Sequence, residues 1–221
     1  MELYEVMRTT FAAREFTDAP VSDETIARIL EEARFAPSGG NRQGWKVLVV
    51  RDNRSRSVLR KLIEPQMQKY VAQVKAGEAP LNTINASQVS EEDIATTQVP
   101  EQMLDNLTGA PVLILVFVDL SVVASFDSHL DRVGVISGAS IYPFVWNILL
   151  AARNEGLGGT LTTFAAGAEE DVKKHFGVPD EMALSAMIPM GQPVKQLTKL
   201  TRKPVTDFVR KEYWDGETLG D

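Results

Sequence analysis

Hydrophobic positions recur along this chain with different periods, and those periods predict its elements. Between Ser22 and Phe35, Ile26, Ile29, Leu30 and Ala33 fall at helical spacing, the buried stripe of an amphipathic helix. Ser22 can cap its start, and Asp23 and Glu24 stand where a helix N-terminus favours negative charge. A shorter helix precedes it, with Leu3, Val6 and Met7 on one face. Trp45–Arg51 is an apolar, β-branched run and reads as a buried strand. Helical spacing returns after Asp52-Asn53, with Val58, Leu59, Leu62 and Ile63 inward and Pro65 expected to interrupt or kink the helix. Ala110–Asp119 (APVLILVFVD) is aliphatic throughout and predicts a central strand. Arg132–Arg153 is apolar over most of its circumference, which predicts a long helix buried on several sides, kinked at Pro143. GLGG at 156–159 stops that helix. Ala168–Phe176 is a further short helix and Ala183–Pro189 another strand.

Residues 66–106 carry no such period. Polar and small residues dominate there, broken by Gly77, Pro80 and Pro100. Mobile helical pieces forming a lid over a site, or a solvated insertion, both fit. Gln192–Asp221 is a basic, then aromatic tail. There is no internal repeat, and 221 residues at 44% hydrophobic suffice for one core, so a single domain over 1–221 is expected.

Charge and residue usage narrow the chemistry. A net charge of −7 argues against nucleic acid or an anionic membrane as partner, so any anion site must be a local cluster of Arg and Lys. The absence of cysteine removes disulfides, thiolate chemistry and Cys-ligated metals, and fits a cytoplasmic protein. MELYEVMRTT lacks the apolar core of a signal peptide, and no apolar run is long enough to span a bilayer. His129 and His175 are isolated, so neither a transition-metal site nor a Ser-His-Asp triad is expected. GLGG follows a helix rather than a strand, the wrong context for a dinucleotide fingerprint.

One stretch is unusually rich in binding chemistry, Ala36–Lys46 (APSGGNRQGWK). Pro37 ends a helix, because its ring disfavours the α conformation in the residue before it. Ser38, Gly39, Gly40 and Asn41 form a loop able to take positive φ and bring bare backbone to a flat ligand. Arg42 and Gln43 add donors and an acceptor, and Trp45 a broad apolar face. An ordinary turn would suffice for SGGN alone; the whole stretch favours a binding loop.

These pieces together resemble the FMN-dependent nitroreductase family. The resemblance rests on Arg14-Glu-Phe16, Pro20-Val21, APSGGNRQGW with VLVVRD, GLGGTLTTF after the long helix, and IPMGQPV followed by TRKPV. It spans nearly the whole chain. The resemblance implies an α+β fold, a small mixed or antiparallel sheet flanked by helices, in an intertwined homodimer with two FMN sites at its interface. Residues 204–221 would form a C-terminal arm on the partner subunit. Arg14 matches the last basic residue of an N-terminal phosphate-binding motif, and Arg202 with Lys203 the C-terminal basic position. Guanidinium suits that role because it meets phosphate oxygens with paired, charge-assisted hydrogen bonds. Pro37, Ser38, Gly39, Asn41 and Gln43 match a loop that reaches the flavin from the other subunit, and Leu161, Thr162 and Thr163 the backbone beside flavin N5 and O4.

Three departures accompany the match. Thr10-Phe11-Ala12-Ala13 stands where the family has two basic residues and a Ser, leaving backbone N–H groups such as that of Ala12, with Arg8, to help bind phosphate. Gly44 replaces a usual Pro. Glu101–Gly109 offers no Lys for flavin N1 and O2, leaving Arg42 as the candidate. The implied activity is ping-pong transfer of hydride from NAD(P)H, through flavin N5, to an electron-poor nitroaromatic, quinone or related small flat acceptor. Specialised flavin chemistry (reductive dehalogenation or flavin fragmentation) and a non-catalytic flavin-binding or sensor protein stay open as alternatives.

Overall fold

The computed structural model describes residues 1–219. The most apolar run becomes the centre of the sheet: β2 (Val112–Asp119) is buried at every residue but its last. It is flanked by β1 (Trp45–Val50) and β4 (Met182–Gly191), both antiparallel to it. The two-residue β3 (Gly158–Gly159) pairs with the far side of β4, giving the order β1-β2-β4-β3. Because strand side chains alternate, β2 feeds two cores. Val112, Ile114, Val116 and Val118 pack with α2 (Asp23–Ala33) and α6 (Tyr142–Asn154). Leu113, Leu115 and Phe117 pack with α3 (Asn53–Lys75), α5 (Glu101–Thr108) and α7 (Glu169–Phe176). The result is a helix–sheet–helix sandwich of α+β class. Burying each such side chain stabilises by roughly 1.5–3 kcal/mol, so β2 anchors both layers.

Two expectations about helices are corrected. First, α3 runs straight on through Pro65 to Lys75. Pro65 is exposed, whereas Leu59, Ile63, Met67 and Val71 form a buried stripe across it. Packing along that stripe outweighs the cost of one proline, about 3 kcal/mol. Residues 66–106 therefore comprise the second half of α3, an irregular stretch over 76–90, α4 (Glu91–Thr96) and, after a short break, most of α5.

Second, the long helix expected over Arg132–Arg153 begins only at Tyr142. Pro143 lies in its first turn, where a missing N–H leaves no bond unmade, so it starts the helix instead of kinking it. Upstream, Asp127 accepts from Arg132 Nη1 (2.7 Å) and the Val135 N–H (2.8 Å), holding that apolar stretch as a loop. A 3-10 turn, Ile136–Ser140, follows it.

The first helix, α1 (Leu3–Thr9), buries Val6 and leaves Leu3 and Met7 exposed. Beyond it the chain lies along the sheet edge. Ala12 bridges Gly159 in parallel sense, and Ala13 N–H donates to the Gly159 carbonyl (3.1 Å). Thr17 N–H donates to the Gln192 carbonyl (2.9 Å), and Val194 N–H to that of Glu15 (3.0 Å). This close seating explains GLGG. A Cβ on Gly158 would stand 2.9 Å from the Ala13 Cβ, and one on Gly159 the same distance from the Pro189 carbonyl. The tail past Pro204 has a 3-10 turn, Val205–Asp207, and a bridge between Arg210 and Thr218. Gly220 and Asp221, the end of the expected arm, lie outside the described residues.

Candidate functional site

After β3 the chain continues beside β4 and forms one wall of a cavity of about 310 Å³, within the range of small-molecule sites, roughly 300–1,000 Å³. Its lining includes Arg14, Tyr70, Asn106 and the segment Thr160–Phe164. Thr160 N–H donates to the Pro189 carbonyl (3.3 Å), and Thr162 exchanges two bonds with Met187 (3.0 and 2.8 Å). The alternate N–H groups, those of Leu161 and Thr163, make no hydrogen bond within the described residues. Thr162 Oγ1 is the one buried side-chain polar atom without a partner among them. A protein interior rarely leaves a hydroxyl so.

The facing wall is apolar. Met67 from α3 and Met103 and Leu107 from α5 line it, with Tyr70 and Phe164 packed edge to face, 5.5 Å between centroids. Leu81 enters from a turn in which its φ is +56°. The amide of Gln73, itself buried, pins that turn by accepting the Leu81 N–H at 2.9 Å. Arg14 is the one charged side chain of the lining. Its Nη1 donates to the Ala12 carbonyl (3.2 Å), and no carboxylate pairs with it among the described residues. Asn106 sits beside it, its side-chain amide 3.3 Å from the Arg14 carbonyl.

The cavity thus gathers four of the sequence-predicted residues, Arg14, Leu161, Thr162 and Thr163, with Ala12 adjacent through Gly159. The others stand elsewhere in the single chain. Pro37, Ser38, Gly39, Asn41 and Gln43 form a tight loop outside the cavity lining. Ser38 Oγ accepts the Gln43 N–H (2.9 Å), and Gly39 N–H donates to Ser140 Oγ (3.1 Å). Gln43 Nε2 donates to Asn41 Oδ1 (3.1 Å). Gly40, Asn41 and Gln43 all have positive φ, a conformation that these small and amide residues tolerate best. Trp45, expected to offer a face to a ligand, is taken up by stacking on Phe144, 4.7 Å between centroids. Gly44 has its own reason: a Cβ there would meet Val122 Cγ2 at 2.6 Å. Arg202 and Lys203 are exposed, and Arg202 Nη1 donates only to the Thr201 carbonyl (2.7 Å). Arg42 reaches only the Val122 carbonyl, at 3.5 Å.

Sequence reading missed most of the rest of the lining: Met67, Tyr70, Leu81, Met103, Asn106 and Leu107. A signal was present in the stripe Ile63, Met67, Val71, which carries the inner face of α3 past Pro65. A larger hollow, about 700 Å³, lies between α2 and α6. It gathers none of the predicted residues. Also among those residues, no group of three or more His, Asp or Glu could hold a metal, and no helix is long and apolar enough to cross a membrane.

The fold has counterparts among known proteins. An iodotyrosine dehalogenase 1 homolog of Caenorhabditis elegans is 26% identical over 210 residues, 94% of this chain but 60% of that protein, so the chain spans less than two thirds of this relative. Iodotyrosine deiodinase bound to FMN and 3-iodo-L-tyrosine superposes with a TM-score of 0.69 at 24% identity, covering 96% of this chain and all of the other. A variant of the FMN and NADPH-dependent nitroreductase NfnB from Sphigopyxis sp. strain HMH gives 0.66 at 19%, covering 96% and 99%. The sequence model of the nitroreductase family matches residues 7–192, from α1 to just past β4, and the chain belongs to that family.

Proposed function

We propose that this chain is an FMN-dependent oxidoreductase of the cytoplasm, passing reducing equivalents from NAD(P)H to a small, flat, electron-poor acceptor in a ping-pong cycle. The observation that carries the reading is the wall Thr160–Phe164, whose Leu161 and Thr163 N–H groups are unpaired among the described residues, lining one cavity together with Arg14. Such a wall fits a flat heterocycle with polar edges. The N–H groups of Leu161 and Thr163 would donate to ring carbonyls and nitrogens. Bound FMN would supply the hydride chemistry. Arg14 would offset negative charge developing on the ring, the role for which the sequence left Arg42 as candidate. Met67, Met103, Leu107 and Phe164 exclude water from one side, strengthening that interaction.

Single-chain geometry leaves the loop Pro37–Gln43 and the pair Arg202-Lys203 outside this cavity. The reading therefore uses a second copy, whose loop would close the site, with the basic pair reserved for the phosphate. The segment around Leu81 and α5 acts as the lid. A second reading, reductive dehalogenation, is favoured by the names of the deiodinase relatives.

The test is the visible spectrum of purified protein incubated with FMN, then titrated anaerobically with NADPH and NADH. About one bound flavin per chain, bleached by a nicotinamide, is expected. Protein that leaves FMN fluorescence unquenched overturns the reading. Bound flavin that no nicotinamide bleaches would mark a storage or sensor protein.

A further inference from the structure

We infer that the acceptor taken by this cavity carries no ammonium group: it is a neutral or anionic flat aromatic, and a free amino acid is rejected. This rests on the FMN reading above. Among the described residues, the lining contains no Asp or Glu. Its polar groups are hydroxyls of Tyr70 and the threonines, the Asn106 amide, backbone N–H groups, and the guanidinium of Arg14. Carboxylates do occur on the surrounding elements, but they are held elsewhere. Glu101 and Asp105 of α5 are both engaged by Arg60, Asp105 at 2.8 Å. Glu78 accepts from Ser87 Oγ and the Gln88 N–H, each at 2.7 Å. Glu64 is exposed and outside the lining. The loop that the reading brings from a second copy, Pro37–Gln43, adds Arg42 and no acid.

An ammonium entering such a site loses hydration and meets a like charge. A neutral nitroarene or quinone loses little and gains the Met, Leu and aromatic wall. An anion gains the Arg42 that the second copy's loop brings. The relative bound to 3-iodo-L-tyrosine accommodates a ligand whose amino acid end carries an ammonium. This chain shares the fold, and none of its described Asp or Glu residues lines the cavity to meet that end. Tyr70 supports the assignment independently. Its hydroxyl has no partner among the described residues while its ring packs edge to face on Phe164, so it offers a neutral donor beside an aromatic surface.

The experiment uses the FMN-loaded protein and matched probes of one shape: 4-nitrotoluene, 4-nitrobenzoate and 4-nitrobenzylamine, with 3-iodo-L-tyrosine beside them. Binding is read from perturbation of the flavin spectrum and turnover from kcat/KM. Expected is at least a tenfold preference for 4-nitrotoluene over 4-nitrobenzylamine, 4-nitrobenzoate bound at least as well as 4-nitrotoluene, and iodotyrosine bound more weakly than any of them. Asn106→Asp, which puts a carboxylate in the lining, should move the amine-to-toluene ratio about tenfold toward the amine. Equal binding of amine and toluene, tighter binding of iodotyrosine, or an unmoved ratio in Asn106→Asp would overturn the inference with the flavin reading intact. Failure to take up FMN at all would overturn the reading beneath it, and is seen before any acceptor is added.

Discussion

Arg14 and Arg202 illustrate what single residues reveal and conceal. The family resemblance places both at a phosphate, yet Arg14 lines the cavity with Thr160–Phe164 while Arg202 stays exposed and touches only its neighbour's carbonyl. If Arg202 meets the phosphate in the assembled site, Arg202→Ala should weaken FMN by roughly 1.5–3 kcal/mol, the range for hydrogen bonds to charged groups. Riboflavin, lacking the phosphate, should hardly notice. If Arg14 instead serves the ring, as proposed above, Arg14→Ala should weaken both ligands alike. Fluorescence titration of both flavins against both variants decides it, and equal losses in Arg202→Ala would remove Arg202 from the phosphate site. Residue identity alone could not separate the two arginines. Their difference comes from the bridge between Ala12 and Gly159, which seats Arg14 at the cavity, and such long-range pairing leaves no mark in local sequence.

Among the elements, those whose period matched their environment were legible: α2 with its stripe of Ile26, Ile29 and Ala33, and β2 with its unbroken aliphatic run. Apolar character reports burial, however, not conformation. Val133, Val135 and Ile136 read as helix for that reason, yet Asp127 ties their chain into a loop. Hydrogen bonds from the Val135 N–H, then from Arg132, hold the Asp127 carboxyl down to a pKa of about 2, from an ordinary 3.8. A depressed folded pKa means stabilisation present in full above 3.8 and lost as pH falls through about 2. Asp127→Asn should therefore be less stable than the native chain near neutrality, and the gap should narrow between pH 4 and 2. Urea unfolding of the two proteins across that window measures it. Curves that stay parallel would show that the carboxylate does not order the loop. The missed cavity wall has the same origin. Its residues are ordinary core apolars, and only the folding of α3 past Pro65 brings Met67 and Tyr70 opposite Thr162.

At the scale of the whole molecule, a single chain leaves many large apolar side chains exposed, which the proposed reading covers with a second copy. Leu3, Tyr4 and Met7 on α1 are exposed, as are Tyr142 and Trp146 on α6. The two helices lie together, with Arg153 Nε donating to Thr9 Oγ1 at 3.0 Å and the N-terminal amine to Asn154 Oδ1 at 2.8 Å. The tail adds Phe208, Tyr213 and Trp214, the last 98% exposed. Exposed apolar surface on this scale marks an interaction site. A second copy is the natural occupant, because the loop Pro37–Gln43 and Arg202-Lys203 then gain a cavity to complete. Obligate interfaces of this kind commonly bury roughly 2,000–5,000 Å² and resemble a domain core. Folding and association should then be one event, so dilution should release flavin and unfold the chain together, with no folded monomer between. Truncation after Pro204 should lower dimer stability and flavin retention at once, since it removes the aromatic arm. Light scattering on the flavin-loaded protein provides the decisive mass: two chains are expected, and one chain with FMN still bound would mean that the cavity is complete within a single copy.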